Sequence, residues 1–342
     1  MATVDATAIA PKMPEGIAGD TMCTLKIAAV IPTFRRWPYM LNAVEELLAQ
    51  TRVPDEIIII DQTTPADIKR SERLRLEEIT SVHSCVRYLL QWPPAVSKAR
   101  NKAVLETGCD VLLYLDDDII PCSDLVRNHI RHYENPRIDA VTGAGCGSGS
   151  RWIVPPRDFI ERSVVQQAYT YNGMFSIPMQ RISFMYGGNF SVRRSVLVSV
   201  SGWDEHILNY GDRDLGIRLA GAGHRIDYDP EALIFHISAP LGGTRVSDPR
   251  SPVQGWKRCV SIFYLAFRHL EGPMFIKYGL YRAARFSILL RQNALRPWRW
   301  PLEAAGFIKA ALVAKKWAQA GLASPFISSR ASSNIETHLF QP

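Results

Sequence analysis

Three consecutive carboxylates, Asp116, Asp117 and Asp118, follow the apolar run Leu112-Leu113-Tyr114-Leu115. Like charges packed this closely repel unless a counter-cation is near, and no counter-charge for them is evident in the sequence. Alternation along a strand turns Asp116 and Asp118 to one side and Asp117 to the other, which makes a two-carboxylate grip. Mg2+ or Mn2+ is held in this way, by one or two carboxylates and the diphosphate oxygens of a ligand. An acidic loop is the plainer reading, but these residues come directly after a buried strand, where ligands of open α/β sheets bind.

Three other segments carry polar residues at comparable places. Ala28 to Arg36 and Glu56 to Thr63 are apolar runs that exit into polar residues, with Pro32, Thr33 and Arg35 after the first and Asp61 after the second. An Asp at that point either accepts from a base N–H or ribose hydroxyl or caps a turn. Val96 to Ala103 opens a helix with Ser97, Lys98 and Arg100. Those groups suit phosphate or base oxygens, although Ser97 is also an ordinary N-cap and Arg100 an ordinary surface charge. The fourth segment runs from Gly187-Gly188-Asn189 through Gly202-Trp203-Asp204 to Gly211-Asp212 and on to His236. Leu215 and Leu219, one turn apart, mark the inward face of a helix that stops near Gly221 and Gly223. Asp212 then lies in its first turn and points above the sheet. An Asp at a helix start is commonly just a cap, and a lone His such as His236 is more often a hydrogen-bonded core residue than a ligand.

The elements that position these residues are legible as alternating patterns. Apolar runs at Ile27 to Ile31, Ile57 to Ile60, Val86 to Leu90 and Val111 to Leu115 alternate with helical stretches at Tyr39 to Gln50, Ile68 to Ile79 and Ser97 to Glu106. Fully apolar strands separated by helices predict an α/β fold, a mostly parallel sheet covered on both faces. Residues 1–24 lack periodicity and read as a disordered arm, 25–240 as the α/β domain, 241–254 as a mobile loop, 255–325 as a basic amphipathic helical extension and 326–342 as a flexible tail. Within the extension, Trp256 to Leu270, Phe275 to Arg291 and Leu302 to Ala320 carry apolar stripes and basic faces.

With 342 residues and 47% apolar composition the chain is globular. Its net charge of +7 is unevenly spread. Residues 251–330 hold thirteen Lys and Arg against Glu271 and Glu303, a local +11 that leaves −4 for the remainder. Such a tail suits an anionic partner or is simply a solvated helical face. The six cysteines show no metal or disulfide spacing. With no leader pattern and no unbroken apolar stretch of spanning length, the expected location is cytoplasmic.

Taken in order, the four segments resemble the family 2 glycosyltransferases with the GT-A fold, over about Leu25 to Ser238. The resemblance implies an inverting, metal-dependent transfer from a UDP-, GDP- or dTDP-sugar to a sugar or lipid-linked acceptor. By the same resemblance Asp61 and Arg100 contact the base, with Pro32, Thr33, Arg35 and Asp117 also on the nucleotide. Asp116 meets the ribose and metal shell, Asp118 ligates Mg2+ or Mn2+, and His236 is a further metal contact. Asp212 is implied as catalytic base, and Asn189 and Trp203 lie on the acceptor side. Two departures stand out: Gly211-Asp212 where the family often has Glu-Asp, and Gln62-Thr63 in place of Asn-Gly. A catalytically silent binding or scaffold protein is therefore the rival reading, and a soluble small-molecule acceptor a further alternative. The glycines at 143 to 149 miss the dinucleotide fingerprint because Ser148 stands where Gly is needed. No nucleic-acid partner is expected, since the basic tail lacks a reading motif. The 241–254 loop is expected to close over the diphosphate with Arg245 as its phosphate contact, and the tail to make a peripheral contact at the inner membrane face.

Overall fold

The computed structural model describes residues 25–147, 154–155, 159, 161–170, 174–243, 252–285, 298 and 300–326. The expected N-terminal arm, Arg245 and positions 327–342 of the tail lie outside the described residues. The strands are β1 (Ile27–Thr33), β2 (Glu56–Asp61), β3 (Val86–Leu90), β4 (Val111–Leu115), β5 (Ile119–Pro121), β6 (Ala140–Cys146), β7 (Asn189–Arg193) and β8 (Ile226–His236). They form one sheet in the order β3-β2-β1-β4-β7-β6-β8-β5. The pairings β3-β2, β2-β1, β1-β4 and β6-β8 are parallel. Those that bring in β7 and β5 are antiparallel. The sheet is thus mixed but mostly parallel.

Alternation along the strands divides the core into two layers. Ala28, Val30, Leu112 and Tyr114 face one cluster, and Ile27, Ala29, Ile31, Leu113 and Leu115 face the other. Helix α1 (Trp37–Leu48) covers the second layer with Met40, Leu41, Val44 and Leu47, helped by α2 (Arg70–Val82) and α4 (Leu125–Ile130). Helix α3 (Val96–Glu106) covers the first with Ala99, Ala103 and Val104. The short α5 (Val164–Thr170), then α6 (Arg194–Ser199) and α7 (Gly211–Gly221), follow on that side. Leu215 and Leu219 of α7 are fully buried, as their spacing predicts. The helix ends at Gly221, with Gly223 at φ +85°, where a side chain would be strained.

The basic extension is part of the fold. Helix α8 (Pro252–His269) begins inside the stretch expected to be loop. It is followed by α9 (Gly272–Met274), a π-helical stretch (Phe275–Leu280), α10 (Tyr281–Arg285) and α11 (Trp300–Ala320). Helices α8 and α11 pack through Val260, Phe263, Tyr264, Ala310, Ala314 and Trp317. Arg268 pairs with Asp204 at 2.8 Å, and His269 meets Asp214 at 2.8 Å. Both carboxylates are buried. Phe326, assigned to a flexible tail from sequence, packs on the core beside Gly202.

A polar knot crosses the sheet behind the strand ends. Buried His129 of α4 meets the Ser191 hydroxyl through Nδ1 and the Asn189 Oδ1 through Nε2, both at 2.9 Å. Asn189 donates onward to the carbonyls of Ala144 and Ala232. Burial keeps this imidazole neutral, with its pKa pushed down to about 4 even though Asn189 pulls it up. The unfolded value is about 6.5. A group whose folded pKa is depressed in this way contributes fully above the unfolded value and loses its contribution as pH falls below it. Wild-type stability from urea unfolding is therefore expected to drop by about 2 kcal/mol more than that of His129→Gln between about pH 7 and pH 5. Parallel pH profiles for the two proteins would show that His129 is not the titrating group.

Candidate active site

Strand β4 ends at Leu115, and the chain bends through Asp117 and Asp118 before β5. Asp116 and Asp118 converge because of this bend, where the sequence suggested simple strand alternation. His236, the last residue of β8, sits between them: its Nε2 lies 3.3 Å from Asp116 Oδ2 and 3.4 Å from Asp118 Oδ1. One ligand atom from each of these three residues falls within 4.8 Å of the others. The His236 Nδ1 meets the Ser238 hydroxyl at 2.9 Å, which fixes the ring and leaves Nε2 directed at the carboxylates. Asp118 Oδ1 is buried with no hydrogen-bond partner. The two carboxylates suit a hard divalent cation, and an unsatisfied buried oxygen is what such an ion would satisfy.

The counter-charge that the sequence did not reveal is Arg36, directly before α1. Its Nη1 lies 3.0 Å from Asp117 Oδ1 and 3.2 Å from Asp118 Oδ2. Its Nε and Nη2 donate to the carbonyls of Leu241 and Ala239. Thr33, expected on the nucleotide, instead donates to Asp117 Oδ2 at 2.8 Å. Asp117 is buried and committed to these partners, so it braces the site from behind. Burial pushes its pKa up to about 7, helped by the Asp118 charge and opposed by Arg36 and Thr33. At Asp116 burial also works upward, but the hydrogen bond from His236 and the charges of Arg100, His236 and Arg36 outweigh it and hold the carboxyl below its ordinary range.

Asp212 faces this cluster across the Tyr186-Gly187-Gly188 segment. Its Oδ2 accepts from the Gly187 N–H at 3.1 Å. Arg100 Nη2 donates to the Gly187 carbonyl at 2.8 Å, and the Asp116 N–H reaches the Gly188 carbonyl at 3.3 Å. Burial raises the Tyr186 phenol, and so do the charges of Asp116, Asp118 and Asp212. Asp214, two residues after Asp212, is fully buried and bound by Arg218 and His269. It has no free oxygen for proton transfer. A Cβ at Gly211 would meet only ordinary contacts with Trp203 and Ser97, so no clash excludes a side chain there.

Several expected roles are revised. Asp61 has no exposed surface and accepts from Trp37 Nε1, the Tyr88 hydroxyl and the Thr63 N–H. It ties the end of β2 to α1 and β3 and, through Thr63, caps a turn. Trp203 is likewise fully buried; its ring carries the Arg100 guanidinium at 4.3 Å and packs on Tyr114 and Phe190. Asn189 belongs to the His129 knot. Neither reaches an acceptor. Arg35, with φ +57°, is exposed beside Pro32 and pairs with Asp67. The loop after β8 begins pinned: the Gly243 N–H donates to the Phe34 carbonyl at 2.7 Å, and a Cβ at Gly242 would strike Phe34 and Arg35 backbone oxygens.

Gly188 provides a direct test of this geometry. A Cβ there would lie 2.6 Å from Asp116 Oδ2, so the carboxylate must move. Gly188→Ala is expected to leave the melting temperature within a few degrees and to weaken Mn2+-supported nucleotide binding about tenfold or more in calorimetry. Unchanged binding would remove Asp116 from the cation site.

Residues 28–200, about half of the chain, match the sequence profile of glycosyl transferase family 2. The O-antigen chain rhamnosyltransferase RfbN of Salmonella typhimurium is 26% identical over 232 residues, which span 62% of this chain and 66% of that protein. The glucosyl-dolichyl phosphate glucuronosyltransferase of Haloferax volcanii is 25% identical over 223 residues, 62% of this chain and 69% of its own. Among solved structures, the mannosyltransferase PcManGT of Pyrobaculum calidifontis, in complex with GDP-Man and Mn2+, superposes with a TM-score of 0.51 at 18% identity, covering 92% of this chain and 86% of that one. The Staphylococcus aureus TarS 1–349 structure gives the same score at 13% identity, covering 84% and 81%. With the sheet order, the converging carboxylates and the profile match in agreement, this chain belongs to glycosyltransferase family 2 and has the GT-A fold.

Proposed function

We propose that the protein transfers a sugar from a nucleoside-diphosphate sugar to an acceptor hydroxyl with inversion at the anomeric carbon, using Mn2+ or Mg2+ held by Asp116, Asp118 and His236. The observation that carries this reading is the partnerless Asp118 Oδ1 beside Asp116 and His236, facing Asp212 across the paired glycines. A divalent cation bound there supplies positive charge to the departing diphosphate. Asp212 takes the proton of the acceptor hydroxyl as that oxygen bonds to the anomeric carbon. The bond from that carbon to the diphosphate breaks, and its electron pair leaves with the nucleotide. Gly187 holds Asp212 in place through its N–H, so orientation of the base does not require the missing Glu at 211. Arg35, exposed just after β1, and Pro32 near its end are the proposed nucleotide contacts.

Relatives named for an O-antigen chain and for a glucosyl-dolichyl phosphate support an envelope glycan carried on a lipid as the acceptor, met at the inner face of the membrane. The neighbour solved with GDP-Man and Mn2+ supports a nucleotide-sugar donor and this type of ion. Which of UDP, GDP or dTDP is carried is decided by calorimetric titration of each with Mn2+. A silent scaffold, the rival raised by Gly211, would bind such a donor without hydrolysing or transferring it.

Two substitutions separate binding from chemistry. Asp118→Asn is expected to abolish Mn2+-dependent nucleotide binding with the fold intact by circular dichroism. Asp212→Asn is expected to keep donor affinity within a fewfold while turnover falls by about 100-fold or more. Wild-type turnover in Asp212→Asn would move the base elsewhere, and full activity in excess chelator would overturn the cation.

A further inference from the structure

Helix α11 is apolar on two opposite sides. Ala310, Ala314 and Trp317 form the side buried against α8. With about 3.6 residues per turn, Pro301, Ala305, Ile308 and Leu312 line up on the other side. There Ile308 is 58% and Leu312 63% exposed. Leu302, 75% exposed, lies about a quarter turn from this stripe, beyond Lys309 and Lys316, and Trp298 and Trp300 stand exposed at the start of the helix. Lys309 and Lys316 flank the stripe on one side and Lys315 on the other, all exposed, and the only acid in the helix is Glu303. A helix packed on a domain ordinarily turns a polar face to water. This one turns out a hydrocarbon stripe between rows of lysine.

We propose that the outer face of α11 docks on an anionic phospholipid surface, with Ile308, Leu312, Leu302, Trp298 and Trp300 entering the headgroup boundary and the three lysines meeting lipid phosphates. The charge pattern selects this occupant. Apolar residues flanked by lysines and led by tryptophan match an interfacial helix. The basic segment opposes a remainder of the chain that carries −4. No helix among the described residues is long and apolar enough to cross a membrane, so the contact is one that lies on the surface. Arg268 and His269, on α8, are committed to Asp204 and Asp214, whereas Lys309, Lys315 and Lys316 of α11 stand exposed beside the stripe. The inference extends the lipid-linked acceptor reading, yet the face is distinct from the carboxylate site, and the two fail separately.

The test is cosedimentation of the full chain with phosphatidylglycerol-containing and with pure phosphatidylcholine vesicles, at low and high salt, beside Mn2+-dependent nucleotide binding in solution. Binding to the anionic vesicles at low salt, lost at high salt, is expected. Lys309→Gln/Lys315→Gln/Lys316→Gln should weaken it on the order of 100-fold, and Ile308→Gln/Leu312→Gln by about tenfold or more. Nucleotide binding and melting temperature should be unchanged in both. Wild-type protein that stays in the supernatant with anionic vesicles at low salt overturns the proposal, as does undiminished vesicle binding by the two variants. If the wild type is instead a dimer in solution that Ile308→Gln/Leu312→Gln converts to monomer, the face belongs to a second copy and the proposal falls. Loss of nucleotide binding in wild type with vesicle binding retained would instead remove the catalytic reading alone.

Discussion

Arg36 is what allows Asp117 and Asp118 to be buried side by side. An uncompensated carboxylate in a protein interior costs several kcal/mol, and two adjacent ones repel as well. One guanidinium reaches an oxygen of each, and its other nitrogens donate to the carbonyls of Ala239 and Leu241. The ends of β1, β4 and β8 are thereby drawn to one point. The neutralisation is incomplete: one guanidinium answers two carboxylates, and Arg36 occupies only Oδ2 of Asp118. The charge that remains is concentrated on Asp116 and on Asp118 Oδ1, beside the directed nitrogen of His236. A salt bridge that fixes one carboxylate oxygen and leaves the other without a hydrogen bond holds Asp118 rigidly for the proposed cation.

The second constraint is steric. Gly187 and Gly188 carry the chain between Asp212 and Asp116, and a side chain at either would press on a carboxylate. Their backbone groups engage both acids and Arg100, so the proposed base and the cation ligands are held at a fixed separation by a few peptide units. Arg100 is itself held from below by the Trp203 ring. This explains why Trp203 lies in the core: its contribution to the site passes through the guanidinium that it supports.

The strands, the helices between them and the order of the four segments were legible because each depends on periodicity within a short window. The grouping of Asp116 and Asp118 with His236 and Asp212 followed only from the family resemblance, because by position alone His236 reads as a core residue and Asp212 as a helix cap. What the sequence hid were partnerships across long separations. Arg36 reaches carboxylates more than eighty positions away, and Asp61 finds Trp37 and Tyr88 on neighbouring elements. A polar residue at a strand end looks the same in sequence whether it faces a ligand or a buried donor. The adjacent pair Arg35-Arg36 held a clue, since a second arginine directly before a buried helix start must find an acid. The convergence of Asp116 and Asp118 was expected from alternation and arises from a bend, a reminder that the extended geometry stops where β4 does.

Local charge misled in a related way at the C-terminus. The +11 of residues 251–330 reads as one basic surface, but its members have separate uses. Arg268 is drawn inward by buried Asp204, as His269 is by Asp214, which makes α8 a structural partner of α7 and of the loop before it. Tyr264 adds its hydroxyl to Asp204, so removing α8 would strip both donors from Asp204 Oδ2 and the His269 contact from Asp214 Oδ1. The helix nearest the catalytic elements therefore cannot be a detachable anchor. Helix α11 sits one layer further out and meets the domain chiefly through α8, so its outer face is under no demand from the core. An apolar stripe retained there is unexplained by packing, and the lysines beside it are not used internally in the way that Arg268 is. The same stretch of basic sequence thus holds the fold together on one helix and leaves charge available for a partner on another.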